Sequence, residues 1–119
     1  MADDFGGFGN KKQALAQLLP VLDAVLESHE SGDYDAFCRH VSDDFRRRVS
    51  REAFARAHRQ VQPGLGRLLG KRYLGMVRRP RGPLLLFAGN YEHGEGEVLI
   101  QALFADPGPP ARLDWLWIE

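Results

Sequence analysis

An α+β fold is what this 119-residue sequence predicts, with N-terminal helices laid on one face of a curved antiparallel four-stranded sheet. Apolar residues recur at helical spacing up to Val61. Beyond "PGLG" at Pro63 to Gly66 the period changes to two. The four two-period runs are then joined by short segments rich in turn residues. Helices followed by a meander of strands is an α+β order, not an alternating βαβ one. A chain of this length forms one domain that buries roughly two-thirds of its unfolded surface. We read residues 1–10 as a flexible leader and 11–119 as that domain.

Asn10 can cap a first helix from Lys11 to about Glu30, where Leu15, Leu18, Leu19, Leu22, Val25 and Leu26 form one apolar stripe. Pro20 lies inside it, so the helix either kinks there or starts in earnest there. "ESGD" stops it, with Gly32 suited to a left-handed conformation and Asp33 to capping the next helix. The segment after it reads as two or three short helices opened by Ser42 and Ser50. Their buried face carries Phe37, Val41, Phe45, Val49, Phe54, Ala57 and Val61. Strands are expected at 67–78, 83–91, 95–105 and 111–118, separated by "RRPRGP", "EHGEGE" and "DPGPPA".

No apolar run approaches the ~18 residues that cross a bilayer. The start, "MADDFGGFGNKK", has no basic segment followed by an apolar one, and a cytoplasmic location is expected. The single cysteine, Cys38, has no neighbours at metal-ligand spacing and reads as a small buried apolar residue. Net charge is zero but unevenly spread: residues 39–81 hold 13 Lys+Arg against 3 Asp+Glu, and each flank is acidic by five charges. That distribution raises the question of anion binding.

The stretch "LLPVLDAVLESHESGDYDAFCRHVSDDFRRRVSREAFARAHRQV" resembles the helical half of nuclear transport factor 2-like domains, whose cone-like fold is cystatin-like. The resemblance rests on the first helix ending in "SGDYDAF", the "VSDDFRRRVSREAF" helix pair and the closing strand "ARLDWLWIE", and it spans about residues 13 to 119. It implies a pocket between helices and sheet. The members most like this chain are small bacterial ones of unassigned function, many of them exported or lipid-anchored. The superfamily also holds isomerases, dehydratases and epoxide hydrolases that place a carboxylate or histidine in the pocket. "FGGFG" in the leader invites comparison with the phenylalanine-glycine repeats that nuclear transport factor recognises, but one short occurrence reads as a mobile tail.

Candidate chemistry is sparse. In "NYEHGEGEVLI", His93 with Glu95 offers two ligands where a metal needs three or four, so the stretch reads as a hairpin turn and no metal or cofactor is expected. His29, His40 and His58 form no paired histidine motif. Asp114, with Tyr34, Tyr73 or Tyr91, is the candidate for an acid/base pair, because a carboxylate amid apolar strand neighbours would have a raised pKa if it faced inward. Its alternative is an ion pair with Arg72 or another strand arginine. Arg46, Arg47, Arg48 and Arg51 are anion-binding candidates, but they lie on several helix faces without stacking aromatics, which disfavours nucleic acid.

Two strands do not alternate apolar with polar. "LLLFA" puts Leu85 and Phe87 opposite Leu84, Leu86 and Ala88, and "LDWLWI" puts Leu113, Trp115 and Trp117 opposite Leu116 and Ile118. The helices can cover only one face, so the other is expected to pair in a homodimer. Phe5 and Phe8 of the leader are the rival cover. The function expected is a non-catalytic binding or assembly module with a possible small apolar ligand. The competing class is an isomerase- or dehydratase-like enzyme.

Overall fold

A computed structural model describes residues 5–105 and 110–119. Its first long helix, α1 (Lys11–Ser31), begins with a reciprocal cap. Asn10 Oδ1 accepts the Gln13 N–H and Gln13 Oε1 accepts the Asn10 N–H, each at 2.9 Å. Gly32, at φ 73°, closes it. The helix continues through exposed Pro20, because Leu18, Leu22, Val25 and Leu26 bury one stripe on both sides of the ring.

Three helices follow: α2 (Tyr34–Arg39), α3 (Asp43–Arg48) and α4 (Arg51–Leu65). Asp33, Ser42 and Ser50 cap them by accepting the N–H groups of Ala36, Phe45 and Ala53. Sequence pattern ends the helical half at Pro63, whereas α4 carries Pro63 inside its last turn. Gln62 secures that turn, since its carbonyl accepts the Gly66 N–H and its side chain donates to the Gly66 carbonyl, both at 2.8 Å. Gly66 has φ 74°, and a Cβ there would lie 2.7 Å from His93 and 2.8 Å from Glu92. Only glycine fits that bend into the sheet.

The strands β1 (Leu68–Arg79), β2 (Gly82–Tyr91), β3 (Val98–Phe104) and β4 (Leu113–Ile118) form an open antiparallel sheet in the order β1-β2-β3-β4. The α+β expectation therefore holds. The turn stretch behaves as a turn: β3 starts at Val98 rather than at Glu95, and Gly96 at φ 73° reverses the chain.

Two faces result. Tyr73, Met76, Leu85, Phe87, Ile100 and Ala102 share the face covered by the helices; all are in the core or packed against it. Strict alternation fails in two strands. In β4 the register shifts between Leu103 and Phe104, leaving Asp114 as the extra residue between Leu113 and Trp115. Leu113 is consequently buried and pairs with Phe104, in the same core as Leu116 and Ile118 rather than opposite them. In β1 the shifts leave Leu69 and Leu74 unpaired, and these are 62% and 46% exposed. Such bulges increase the local twist of the strands that carry them.

The leader differs from its sequence reading within the described residues. Phe5 and Phe8 are buried members of the core, and Gln17 Nε2 on α1 donates to the Phe8 carbonyl at 2.9 Å. Two large apolar side chains within four residues gain enough by burial to hold the segment against α1. None of the helices is long and apolar enough to cross a membrane among the described residues.

Candidate functional site: an apolar cavity between α4 and β4

Ala53, Ala57, Val61 and Leu65 recur every four residues along α4 and line one wall of a cavity of about 330 Å³. Alanine at two of those positions leaves space that a larger side chain would fill. Leu116 and Ile118 of β4 line the cavity as well, with Leu26 and His29 of α1 and the rings of Phe37, Phe45 and Phe54. The Trp115 indole lies on the edge strand and reaches Phe45 at 4.7 Å between centroids. Arg48 covers the indole at 5.4 Å.

His29 is one of several polar residues in the wall of this largely apolar space, with Glu30, His58, Gln62 and Tyr91. Its ring sits 5.6 Å from that of Phe37 and 5.2 Å from that of Phe54. Its Nε2 is buried without a hydrogen-bond partner among the described residues. Burial, helped by the nearby His58, lowers its pKa from 6.5 to about 4, so the imidazole is neutral at neutral pH. His58 Nδ1 donates to the His29 carbonyl at 2.8 Å, bridging α4 to α1. Tyr91 also lines the cavity, and burial together with the Glu30 charge pushes its pKa up to about 12, so the phenol keeps its proton. Glu30 Oε1 accepts the Leu68 N–H at 3.2 Å.

The candidate acid/base pair built on Asp114 does not assemble, and the alternative ion pair with an arginine does. Asp114 is 5% exposed, but its Oδ1 accepts from Ser42 Oγ at 2.7 Å and its Oδ2 from Arg81 Nε at 2.8 Å. The arginine that meets it comes from the β1–β2 turn and not from position 72, because the bulge aims Asp114 at that end of the sheet. Ser42 thus ties the start of α3 to β4, while Leu113 exchanges backbone hydrogen bonds with His40 and Ser42. This buried carboxylate is a structural tie, and among the described residues neither tyrosine nor histidine lines the polar groove that contains it. Tyr34 gives its hydroxyl proton to the Val49 carbonyl at 2.8 Å and stacks on Phe37. Tyr73 lies on β1 against Phe87, its hydroxyl buried and without a partner among the described residues, away from the cavity lining.

Three of the four candidate arginines are ion-paired locally, and the fourth, Arg48, lies over the Trp115 indole. Arg46 pairs with Asp43, Arg47 with Asp44, and Arg51 with Asp35 while covering the Tyr34 ring. Lys71 pairs with Asp23 and Arg72 with Glu97, so the acidic flanks fold beside the basic middle. His93 lies beside Glu92, and the described residues contain no cluster of three metal-ligating groups. Leu85, Phe87 and Leu113 belong to the core rather than to an interface, Trp115 lines the cavity, and Trp117 is 40% exposed on the outer face.

Sequence reasoning passed over His29, although a signal was present. His29 comes seven residues after Leu22, four after Val25 and three after Leu26, which places it on the apolar stripe of α1. A polar side chain on such a stripe marks either a satisfied core residue or a ligand-facing one. The unpartnered Nε2 favours the second. Comparison with family models, with curated proteins and with solved structures gives no match for this chain.

Proposed function

We propose that this chain is a non-catalytic binding module of the nuclear transport factor 2-like type, which holds a small apolar molecule in the cavity between α4 and β4. The supporting observation is a largely apolar space of about 330 Å³ whose wall holds a buried imidazole nitrogen unpaired among the described residues. Ligand sites in general are concave, mostly apolar and oriented by few polar groups. N-phenyl-1-naphthylamine, an uncharged dye that brightens in apolar surroundings, is expected to bind saturably at one site per chain. Ala57→Trp, which fills the cavity, is expected to abolish the signal while circular dichroism is retained. Undiminished dye binding by the folded variant refutes the assignment of the site.

A catalytic reading attaches to the same cavity and not to Asp114. Neutral His29 and protonated Tyr91 would be its base and its donor. Binding is preferred because it asks nothing of the geometry beyond ligand capture.

The same reading includes a homodimer formed through the outer face of the sheet. Val77, Leu99 and Trp117 are 44%, 37% and 40% exposed there. The described part of the leader lies against α1. Arg72, Ala88 and Leu99 are in register across the face, and alternation places Glu119 at the acidic end of that row. A two-fold axis along the strands would set Arg72 of one copy, which also pairs with Glu97 of its own chain, over Glu119 of the other. Sedimentation velocity at micromolar concentration is expected to show a two-chain species that Trp117→Glu converts to one chain. A wild-type protein that sediments as a single chain removes this part of the proposal.

A further inference from the structure

We propose that the occupant of the cavity is an uncharged molecule about the size of two fused rings, whose single hydroxyl group pairs with His29 Nε2. This rests on the cavity reading above and adds the ligand's chemistry. Size comes first. An engineered cavity of roughly 150 Å³ takes up benzene, and the space here, about 330 Å³, is a little over twice that. Two fused rings, or an aliphatic body of similar volume, match it.

The polar groups in the wall restrict the ligand further. His58 Nδ1 is committed to the His29 carbonyl, Gln62 Nε2 to the Gly66 carbonyl, and Glu30 Oε1 to the Leu68 N–H. His29 Nε2 is the buried polar atom of the lining left without a partner among the described residues. An unpaired buried nitrogen is costly, so a ligand that supplies its partner is selected over one that does not. A hydroxyl both donates and accepts, and it therefore suits either tautomer of a neutral imidazole.

Charge narrows the class again. The Glu30 carboxylate lines the same wall, which disfavours a carboxylate or phosphate. A cation would lose its hydration among leucine, isoleucine and phenylalanine side chains. Burying either charge costs more than one hydrogen bond returns.

The test is displacement of N-phenyl-1-naphthylamine at pH 7.5 by four probes with the same ring system: naphthalene, 2-naphthol, 2-naphthoate and 2-naphthylmethylammonium. We expect 2-naphthol to displace the dye at about tenfold lower concentration than naphthalene, one net hydrogen bond being worth about that factor. Both charged probes are expected to be weaker than naphthalene. In His29→Leu the advantage of 2-naphthol over naphthalene is expected to disappear while naphthalene still displaces the dye. Equal displacement by 2-naphthol and naphthalene overturns the proposal, as does a charged probe in first place. A preference for 2-naphthol that survives in His29→Leu also overturns it, by placing the polar anchor elsewhere. Should that variant fail to fold, the ranking of the four probes on the wild-type protein decides the matter. A dye that binds but ranks the probes otherwise rejects the ligand class and leaves the cavity assignment standing; a dye unaffected by Ala57→Trp rejects the cavity itself.

Discussion

Phe37→Ala is expected to lower the free energy of unfolding by about 3–5 kcal/mol. Phe37 is fully buried, and its ring lies 5.0 Å from that of Phe54, 5.1 Å from Phe45, 5.6 Å from His29 and 5.9 Å from Tyr34. Those partners sit on α1, α2, α3 and α4, so one side chain joins all four helices. Helix α2 has six residues, far fewer than the ~12–15 at which an isolated helix becomes even marginal in water. Its stability comes from docking, and Phe37 is its fully buried anchor. Truncation removes transfer free energy and opens space next to an existing cavity, which gives the neighbouring rings nothing new to close upon. Urea unfolding followed by circular dichroism measures the loss, with Cys38→Ala as the neighbouring control expected to cost under about 1 kcal/mol. A loss below about 1.5 kcal/mol for Phe37→Ala, half the low end of the range for such truncations, would show that the helices do not depend on this ring.

The second large effect concerns pH. In the folded protein His29 titrates near 4, and in the unfolded chain at the ordinary 6.5. A depressed histidine pKa means that the unfolded state binds the proton more readily between those values. Stability is therefore complete above pH 6.5 and declines as the pH falls toward 4, below which this group contributes no further change. A difference of about 2.5 units corresponds to about 3 kcal/mol at roughly 1.36 kcal/mol per unit. His29→Leu removes both the proton site and the unpaired Nε2. Its stability at neutral pH is expected to equal or exceed that of the wild type, and the gap is expected to widen by about 3 kcal/mol on acidification. Subtracting the two pH profiles cancels the carboxylates that both proteins share. Parallel profiles between pH 6.5 and 4 would mean that His29 is hydrated in the folded state.

The two residues behind these experiments are unequally legible in the sequence. Phe37 is apparent from its place in "DYDAF", four residues before Val41, because a helix repeats its face every three or four residues. His29 obeys the same rule, but judging the histidines only against paired metal-binding motifs conceals it. What matters about it is the missing partner for Nε2, and that depends on which atoms of α2 and α4 arrive beside α1.

The caps show what sequence decides unaided. Asn10, Asp33, Ser42 and Ser50 each bind a backbone N–H three residues ahead, a geometry contained in the local chain and readable from residue type and spacing. The same holds for the four strands and their turns, and hence for the α+β class. The bulge at Asp114 is different. It exists because β4 must pair with β3 while Leu113 also bonds to His40 and Ser42, and no pattern within "LDWLWI" records those distant partners. One extra residue there moved Leu113 into the core and delivered Asp114 to Arg81. The burial of Phe5 and Phe8 likewise depends on the surface that α1 presents to them. The cavity is the most remote from sequence of all, since it is the space that Ala53 and Ala57 fail to fill against a strand far along the chain. Periodicity identifies which side chains face inward; whether they meet is set by the distance between two elements, and only the folded chain fixes that distance.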